Sequence, residues 1–437
     1  MIIAGSGPAG AAAALALKQL DVPCVVACRP NPRQRFEGLS ARTADLLERL
    51  GLAQARASLG RPALRDAHWN GERSRHNTEF LVDRSSFDAA LLRDLQAAAI
   101  PVVGDLKDAR PLEGGGWEVV VDGRLARTPF LVDARGRAAP LNGRPELRGP
   151  ATVALCRLFE GSRDEESTSV HPFAEGWSWL GRSGADVSVA QFILSAEAVG
   201  QAGKDGLTAL HDHWRESLAA AVEWLPVDAR PLAPAFVRDC TSILRRDLAN
   251  PHYLRIGDAA CALDPLSGQG VFLALAGALA AAAVVNTCVN RPEDAGLAAQ
   301  FFSGRARQQF LERGALGRDF YAVEQRWADQ PFWRARSQWP PAAAPTPGAA
   351  TAVTCELRPV LDEGWVVQRK VLLTPEHPLG VWRVDDVPVA PLADWLAASS
   401  GQSFDPAVYA DNFSLAPASV ARAVHWLRHS AGMSRCT

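Results

Sequence analysis

Six residues near the start of the chain, Gly5-Ser6-Gly7-Pro8-Ala9-Gly10, constrain the fold more than any other feature. Ile2-Ile3-Ala4 ahead of them has the composition of a short buried strand, and Ala11 to Leu20 that of a helix. A strand-to-helix turn of this spelling gives Gly5 the tight turn. Gly7 lets the backbone approach a pyrophosphate, and Gly10 lets the helix pack closely on the strand. The bland alternative is an ordinary glycine turn, but the strand before and helix after favour a nucleotide-binding α/β sheet. A second segment, Ile256-Gly257-Asp258 through Asp264-Pro265-Leu266-Ser267-Gly268-Gln269-Gly270, is a Gly-Asp turn followed by a Pro/Gly-rich entry into an Ala-rich helix.

Composition narrows the class. A 437-residue chain implies two or three domains. Its 48% hydrophobic and 22% charged residues are those of a globular protein, and a net charge of -2 leaves no electrostatic footprint for nucleic acid or an anionic membrane. Cysteines 24, 28, 156, 240, 261, 288, 355 and 436 form no CxxC pair and no metal-spaced cluster. Free thiols without a signal peptide suit the cytoplasm. The apolar run Val271 to Val285 reads as a buried helix too short to span a bilayer.

The Pro/Ala stretch 339–352 reads as a linker. Beyond it, strand-like runs at Trp365 to Leu373 and Val381 to Val389 precede a helical pattern at Ala418 to His429, with Pro417 suited to the first helical position. The fold expected is α/β: a Rossmann-like dinucleotide-binding domain in two pieces, 1–150 and 235–338. An inserted β-sheet substrate domain covers 151–234, with 60–80 contributing, and a small C-terminal α+β domain covers 353–437. Ser85 or Ser86 would cap a helix running from Asp88.

Taken together, the two glycine motifs point to one FAD gripped at both ends. Cofactor-binding candidates are Gly5, Gly7, Pro8, Ala9, Gly10, Arg29, Arg42, Arg84, Gly257, Asp258, Pro265, Gly268, Gln269, Gly270 and Val271. The strand Val22 to Ala27 ends in Cys28-Arg29, where an acid for the ribose hydroxyl is the usual device. Arg29 is left to meet the adenosine portion.

With the intervening Arg42, Arg84 and Asp133-Ala-Arg-Gly segments, residues 1–338 resemble the FAD-dependent monooxygenases of the aromatic-hydroxylase type. Their relatives are the flavin-dependent tryptophan halogenases and geranylgeranyl reductases. The resemblance implies that Arg42 meets the FAD phosphates, Asp258 the ribitol, and the 264–270 loop the flavin ring. Gly176-Trp177-Ser178-Trp179 resembles a halogenase element, making Trp177 and Trp179 candidates to line the substrate cavity; two tryptophans packing in a core is the plainer reading. Tyr321 to Trp333 is an aromatic-rich helical stretch of similar spelling.

Halogenases of this type use a lysine between the early glycine turn and the Arg84 segment, and a glutamate after Asp-Pro-Leu. The lysines here are Lys18, Lys107, Lys204 and Lys370, none of them between Gly38 and Arg84, and Ser267 follows Leu266. Hydroxylation asks of the protein only orientation, exclusion of water and proton delivery, because flavin and oxygen carry the oxidising power. Glu37, Ser267 and Gly268 are the catalytic candidates. His68, His76 and His171 are weaker acid-base candidates. The layout is similar to the FAD-dependent monooxygenases that hydroxylate a protein-bound tryptophan in cysteine tryptophylquinone biogenesis, during maturation of quinohaemoprotein amine dehydrogenase. That likeness implies a peptide or protein substrate, held by residues 353–437, molecular oxygen, and NAD(P)H or a separate flavin reductase as donor. A small-molecule aromatic hydroxylase, a geranylgeranyl-type reductase, and a winged-helix-like binding module at Leu415 to Met433 are the alternatives.

Overall fold

A computed structural model describes every residue except 30–33, 140, 142–144, 161–165, 184–186, 226–228, 342–352, 399–403 and 431–437. Most of the expected linker therefore lies outside the described residues. The chain folds as two units, Met1–Ala342 and Ala343–Thr437.

Among the described residues the first unit has two large sheets and two three-stranded ones. One has six short strands in the order Ala249–Asn250, Tyr253–Arg255, Leu131–Asp133, Ile2–Ala4, Val25–Ala27 and Val102–Val103. It is parallel except for the hairpin at its Ala249 edge, with Ile3 in register with Val132 on one side and Val26 on the other. Strands buried on both faces read as continuous apolar runs, which is why three residues of Ile-Ile-Ala suffice. The helix Pro8–Gln19 packs against this sheet and against the helix Gly270–Asn290, and the many alanines buried on both helices let the backbones approach. The second helix is longer than the apolar run suggested. Its 21 residues and hydropathy of 2.1 match a membrane span, yet 61% of its most apolar window is buried inside the protein, so it is a core helix.

The other large sheet has eight strands, ordered Phe236–Asp239, Thr152–Glu160, Val187–Ser195, Gly176–Ser183, Ser167–Phe173, Ala63–Trp69, Glu72–Asp83 and Phe36–Ser40. One face packs on the helices Ala196–Ser217 and Ala219–Trp224 through Leu155, Phe192 and Leu225. The opposite face carries Trp177, Trp179, Val170 and Ile193, which meet Leu266, Tyr321, Phe332 and Trp333. The helix after Asp83 runs Arg84–Ala97, and Asp83 caps it by accepting from the Ser85 amide at 3.0 Å. The cap is thus two or three residues earlier than the serines suggested, because the strand pairing of Phe36 with Asp83 fixes where extended backbone ends.

In the second unit, Thr354–Asp362, Trp365–Thr374 and His377–Val381 form an antiparallel sheet. Helices Val389–Ala398, Pro406–Phe413 and Pro417–Ser430 close a core around Leu392, Tyr409, Val420 and Leu427. The run Val381 to Val389 is not one strand. Asp385 adopts φ +50° and folds it into a small hairpin, Arg383–Val384 against Val387–Pro388. Arg422 there pairs with Asp385, so one of the few basic groups of the helical segment is already occupied.

Candidate functional site

Each glycine of the first turn has a separate geometric reason. Gly5 has φ +112°, and a Cβ on it would meet the Ala134 carbonyl oxygen at 2.5 Å. On Gly10 a Cβ would stand 1.9 Å from the Gly5 carbonyl oxygen. At Gly7 it would meet nothing within 4 Å, so the space above the turn is open. The helix starting at Pro8 has neither a side-chain cap nor an acidic residue in its first turn. Its free amides and dipole are available to an anion.

The second grip faces the first. Gly257 adopts φ +57° and a Cβ there would lie 2.7 Å from that of Ala9, so the Gly-Asp turn presses on the first helix. Asp258 keeps 43% of its side chain accessible, yet the surrounding protein raises its pKa above the usual carboxylate value, mainly by desolvation. A carboxylate both accessible and desolvated lines a recess, not a convex surface. Arg137 holds it at 3.4 Å and ties the same region together by donating to the carbonyls of Thr241 and Leu263.

Asp264 begins the next turn. Its Oδ1 accepts from the Leu266 amide and from the Tyr321 hydroxyl, both at 2.9 Å. Ser267 Oγ donates to the Asp264 carbonyl at 3.0 Å, and Gly268 takes the left-handed conformation at φ +57°. Gln269 Oε1 is buried without a hydrogen-bond partner, and the helix starting at Gly270 has no side-chain cap. Two uncapped helix starts, an accessible recessed carboxylate, an open space over Gly7 and an orphaned amide oxygen fit an extended dinucleotide such as FAD. Arg42 is exposed at the start of helix Ala41–Arg49, with its guanidinium 4.8 Å from the Phe272 ring centroid. Arg29 is exposed where Val25–Ala27 ends.

Glu37 and Arg84 belong to one ion network. Glu37 accepts from Arg84 at 2.9 Å and from Arg238 at 2.7 Å, and Arg84 also holds Asp88 at 2.9 Å. Burial alone would raise the Glu37 pKa, but the two guanidiniums outweigh it and draw it from 4.5 to about 2. A carboxylate so held stays ionised at neutral pH, which suits fixing a strand end better than moving a proton. The Arg84 guanidinium is likewise committed to protein carboxylates.

Trp177 and Trp179 are both buried, and each indole is fixed by a distant partner. Trp177 Nε1 donates to the Tyr321 hydroxyl at 3.1 Å, so a chain of hydrogen bonds runs from the sheet through Tyr321 to Asp264. Burial and the Asp264 charge raise the Tyr321 pKa well above 10, so it remains a phenol. Trp179 Nε1 donates to buried Glu79 at 3.1 Å, and Arg65 stands 3.9 Å from Glu79. The Arg65 guanidinium also approaches Gly268: a Cβ on that glycine would lie 3.9 Å from it. Arg65, Glu79 and Arg238 on strands, and Arg137 in the short turn Gly136–Ala138, are functional neighbours that carry no sequence signal, because a single polar residue has no period and no motif. His68 stacks on His171 with centroids 4.3 Å apart, and Asp66 lies 3.3 Å from His68. Desolvation first, then the His68 charge, lowers His171 to about 4. The His76 side chain lies outside the described part of the structure. No group of three or more metal-binding side chains is found among the described residues.

Comparison with known proteins agrees with this geometry. A family model described as an FAD binding domain matches residues 1–101. The chain is 27% identical over 371 residues to a tryptophan 2-halogenase of Chondromyces crocatus, across 77% of this chain and 70% of that protein. Among solved structures, the peptidyl tryptophan dihydroxylase QhpG, essential for tryptophylquinone cofactor biogenesis, is 36% identical with a TM-score of 0.85, and the match covers 99% of each chain. The flavin-dependent halogenase CmlS is 18% identical with a TM-score of 0.72 over 91% of this chain and 88% of that one, a likeness of fold alone.

Proposed function

The chain belongs to the family of FAD-dependent monooxygenases that includes the peptidyl tryptophan dihydroxylase QhpG, and from this we propose that it hydroxylates a tryptophan carried on a polypeptide during maturation of a quinone cofactor. The observation that carries the reading is likeness across the whole length, C-terminal unit included, at 36% identity.

FAD, when bound and reduced, would supply the activation of molecular oxygen. For each hydroxyl formed, one oxygen atom enters the ring, the other leaves as water, and two electrons come from NAD(P)H or a partner reductase. The protein's own part is binding, orientation and exclusion of water. The amides at Gly7 to Gly10 and the Arg42 guanidinium would hold the pyrophosphate, and Asp258 would accept from the ribitol hydroxyls. The Gly268 to Val271 helix start would offer amides to negative charge on the ring. The aromatic face around Trp177, Trp179 and Trp333 would keep the reacting region dry, with Tyr321 and Asp264 beside Trp177 and with Glu79 and Arg65 beside Trp179. Glu37 is retained as a positioning residue for Arg84 and Arg238, and Ser267 and Gly268 as the turn that shapes the seat.

The experiment is direct. FAD-loaded protein, a flavin reductase with NADH, oxygen and a tryptophan-bearing peptide are incubated with isotopically labelled oxygen in chloride buffer. The peptide is expected to gain one or two labelled oxygen atoms. A chlorinated peptide would make the protein a halogenase. An unchanged peptide beside oxygenated free indole or phenol would make it a small-molecule hydroxylase.

A further inference from the structure

Behind the Asp264–Ser267 turn lies a narrow recess of about 30 Å³ that opens to solvent. Its walls are mostly apolar, with Leu266 and Trp339 among them, and it is bounded by three arginines, Arg313, Arg318 and Arg336. The only carboxylate lining it is Asp264, whose Oδ1 is already engaged by the Leu266 amide and the Tyr321 hydroxyl. Asp319 offsets the charge of Arg318 at 2.8 Å.

Arg336 is the unusual group. Only 4% of it is exposed; no carboxylate lies within 4.0 Å of it among the described residues, and its charge is offset at longer range by Asp264 and by the Tyr321 side chain. Its Nη1 donates to the Phe332 carbonyl at 2.9 Å and its Nη2 to Thr152 Oγ1 at 2.6 Å, while Nε is buried with no partner. A buried cation with an unmet donor is costly unless something satisfies it. Arg313, half-buried on the helix Ala295–Val323, also has no ion-pair partner among the described residues. Gly317 follows it by one turn on the same face, and a Cβ there would meet nothing within 4 Å, so the helix leaves a slot below the Arg313 head.

We propose that this recess is a carboxylate-binding subsite for the substrate polypeptide. Arg336 forms its floor and Arg313 its mouth, and they receive an acidic side chain near the tryptophan to be modified. The inference rests on the polypeptide-substrate reading above. It assigns the enzyme a preference for acidic sequence context, set on the side of the flavin loop where Leu266 and Ser267 are shared.

The test is a binding titration of the full-length, FAD-loaded protein without turnover, read by flavin absorbance and tryptophan fluorescence. The probes are two tryptophan peptides differing only as Glu or Gln beside the tryptophan, together with N-acetyltryptophan and its amide. The Glu peptide is expected to bind about tenfold more tightly than the Gln peptide, the worth of one or two charge-assisted hydrogen bonds. R313A should reduce that ratio, R336M should bring it to unity, and R336K should retain part of it. Equal affinity of the Glu and Gln peptides for the wild-type protein overturns the proposal, and so does a ratio unmoved by R313A and R336M. A carboxylate preference confined to N-acetyltryptophan over its amide also overturns it, because the subsite would then serve a free amino acid. Should R336M not fold, the wild-type ratio and R313A carry the test. A Glu-selective peptide that binds but is never oxygenated would sink the proposed function and leave the subsite standing.

Discussion

Replacing Glu37 with Gln separates a structural ion network from an acid-base catalyst. In the wild-type protein the Glu37 carboxylate lies 2.9 Å from Arg84 and 2.7 Å from Arg238, with 21% of its side chain accessible. A pKa drawn from 4.5 to about 2 corresponds to about 3 kcal/mol of preference for the ionised form, at about 1.4 kcal/mol per tenfold. Asp88 would still pair with Arg84 and Arg35 in the variant, leaving one of their two charges unbalanced, and Arg238 would lose its acidic partner among the described residues. The expected cost at pH 7 is therefore about 2–3 kcal/mol, toward the low end for breaking a buried pair.

The pH dependence has a definite sign. The folded-state pKa lies below the unfolded value, so the stabilisation is fully present above pH 4.5 and disappears as pH falls toward 2. Urea unfolding of the FAD-loaded protein, followed by release of flavin fluorescence, should show a wild-type-to-E37Q gap that is flat from pH 8 to about 5 and closes below about 4.5. A gap under about 0.5 kcal/mol at neutral pH would refute the network. A gap that closes between about pH 6 and 8, or loss of a near-neutral limb from the pH-rate profile in E37Q, would restore Glu37 as a proton carrier.

Gly10→Ala places a methyl 1.9 Å from the Gly5 carbonyl oxygen; the purified variant should be colourless, and stoichiometric flavin in it would contradict the assigned turn. Asp258→Ala should weaken FAD binding by roughly tenfold or more through loss of a charged acceptor, measured by equilibrium dialysis; unchanged affinity would remove Asp258 from the grip. Tyr321→Phe leaves the Trp177 indole N–H buried without its acceptor and frees Asp264, so a loss of about 1–3 kcal/mol is expected in urea. The same variant should alter the visible spectrum of bound flavin, and a wild-type spectrum would mean the 264–268 turn does not depend on this link.

What could be read from the sequence was local. The Gly5 to Gly10 turn is spelled by its own residues, even though the Ala134 carbonyl is part of what requires Gly5, and Asp264 to Gly270 spells a turn into a helix, so residue type and spacing suffice. The functional side chains are joined over longer distances. Arg238 reaches Glu37 across 201 residues, Trp177 reaches Tyr321 across 144, and Trp179 reaches Glu79 across 100. A single hydrogen-bonded pair on two strands has no period and no motif. Glu37 was visible as a carboxylate near the flavin turn, but the two guanidiniums that settle its ionisation belong to other elements. Ser85 and Ser86 are good caps by type, as Asp83 is, and only the pairing of Phe36 with Asp83 decides between them.

The lysines make the last distinction in chemical terms. Lys18 donates to the Ala98 carbonyl, and Lys107, Lys204 and Lys370 lie on the strand Leu106–Pro111, the helix Ala196–Ser217 and the strand Trp365–Thr374. None belongs to the aromatic face that meets Leu266 and Tyr321. The cation near Gly268 is instead Arg65, beside Glu79. A guanidinium keeps its proton at any physiological pH, so it cannot serve as the neutral amine that halogen transfer uses, whereas it can orient a carboxylate or a polarised oxygen. The aromatic wall, the ion-paired frame and the turn that would seat the flavin are what orientation and exclusion of water ask of the protein in flavin-dependent hydroxylation.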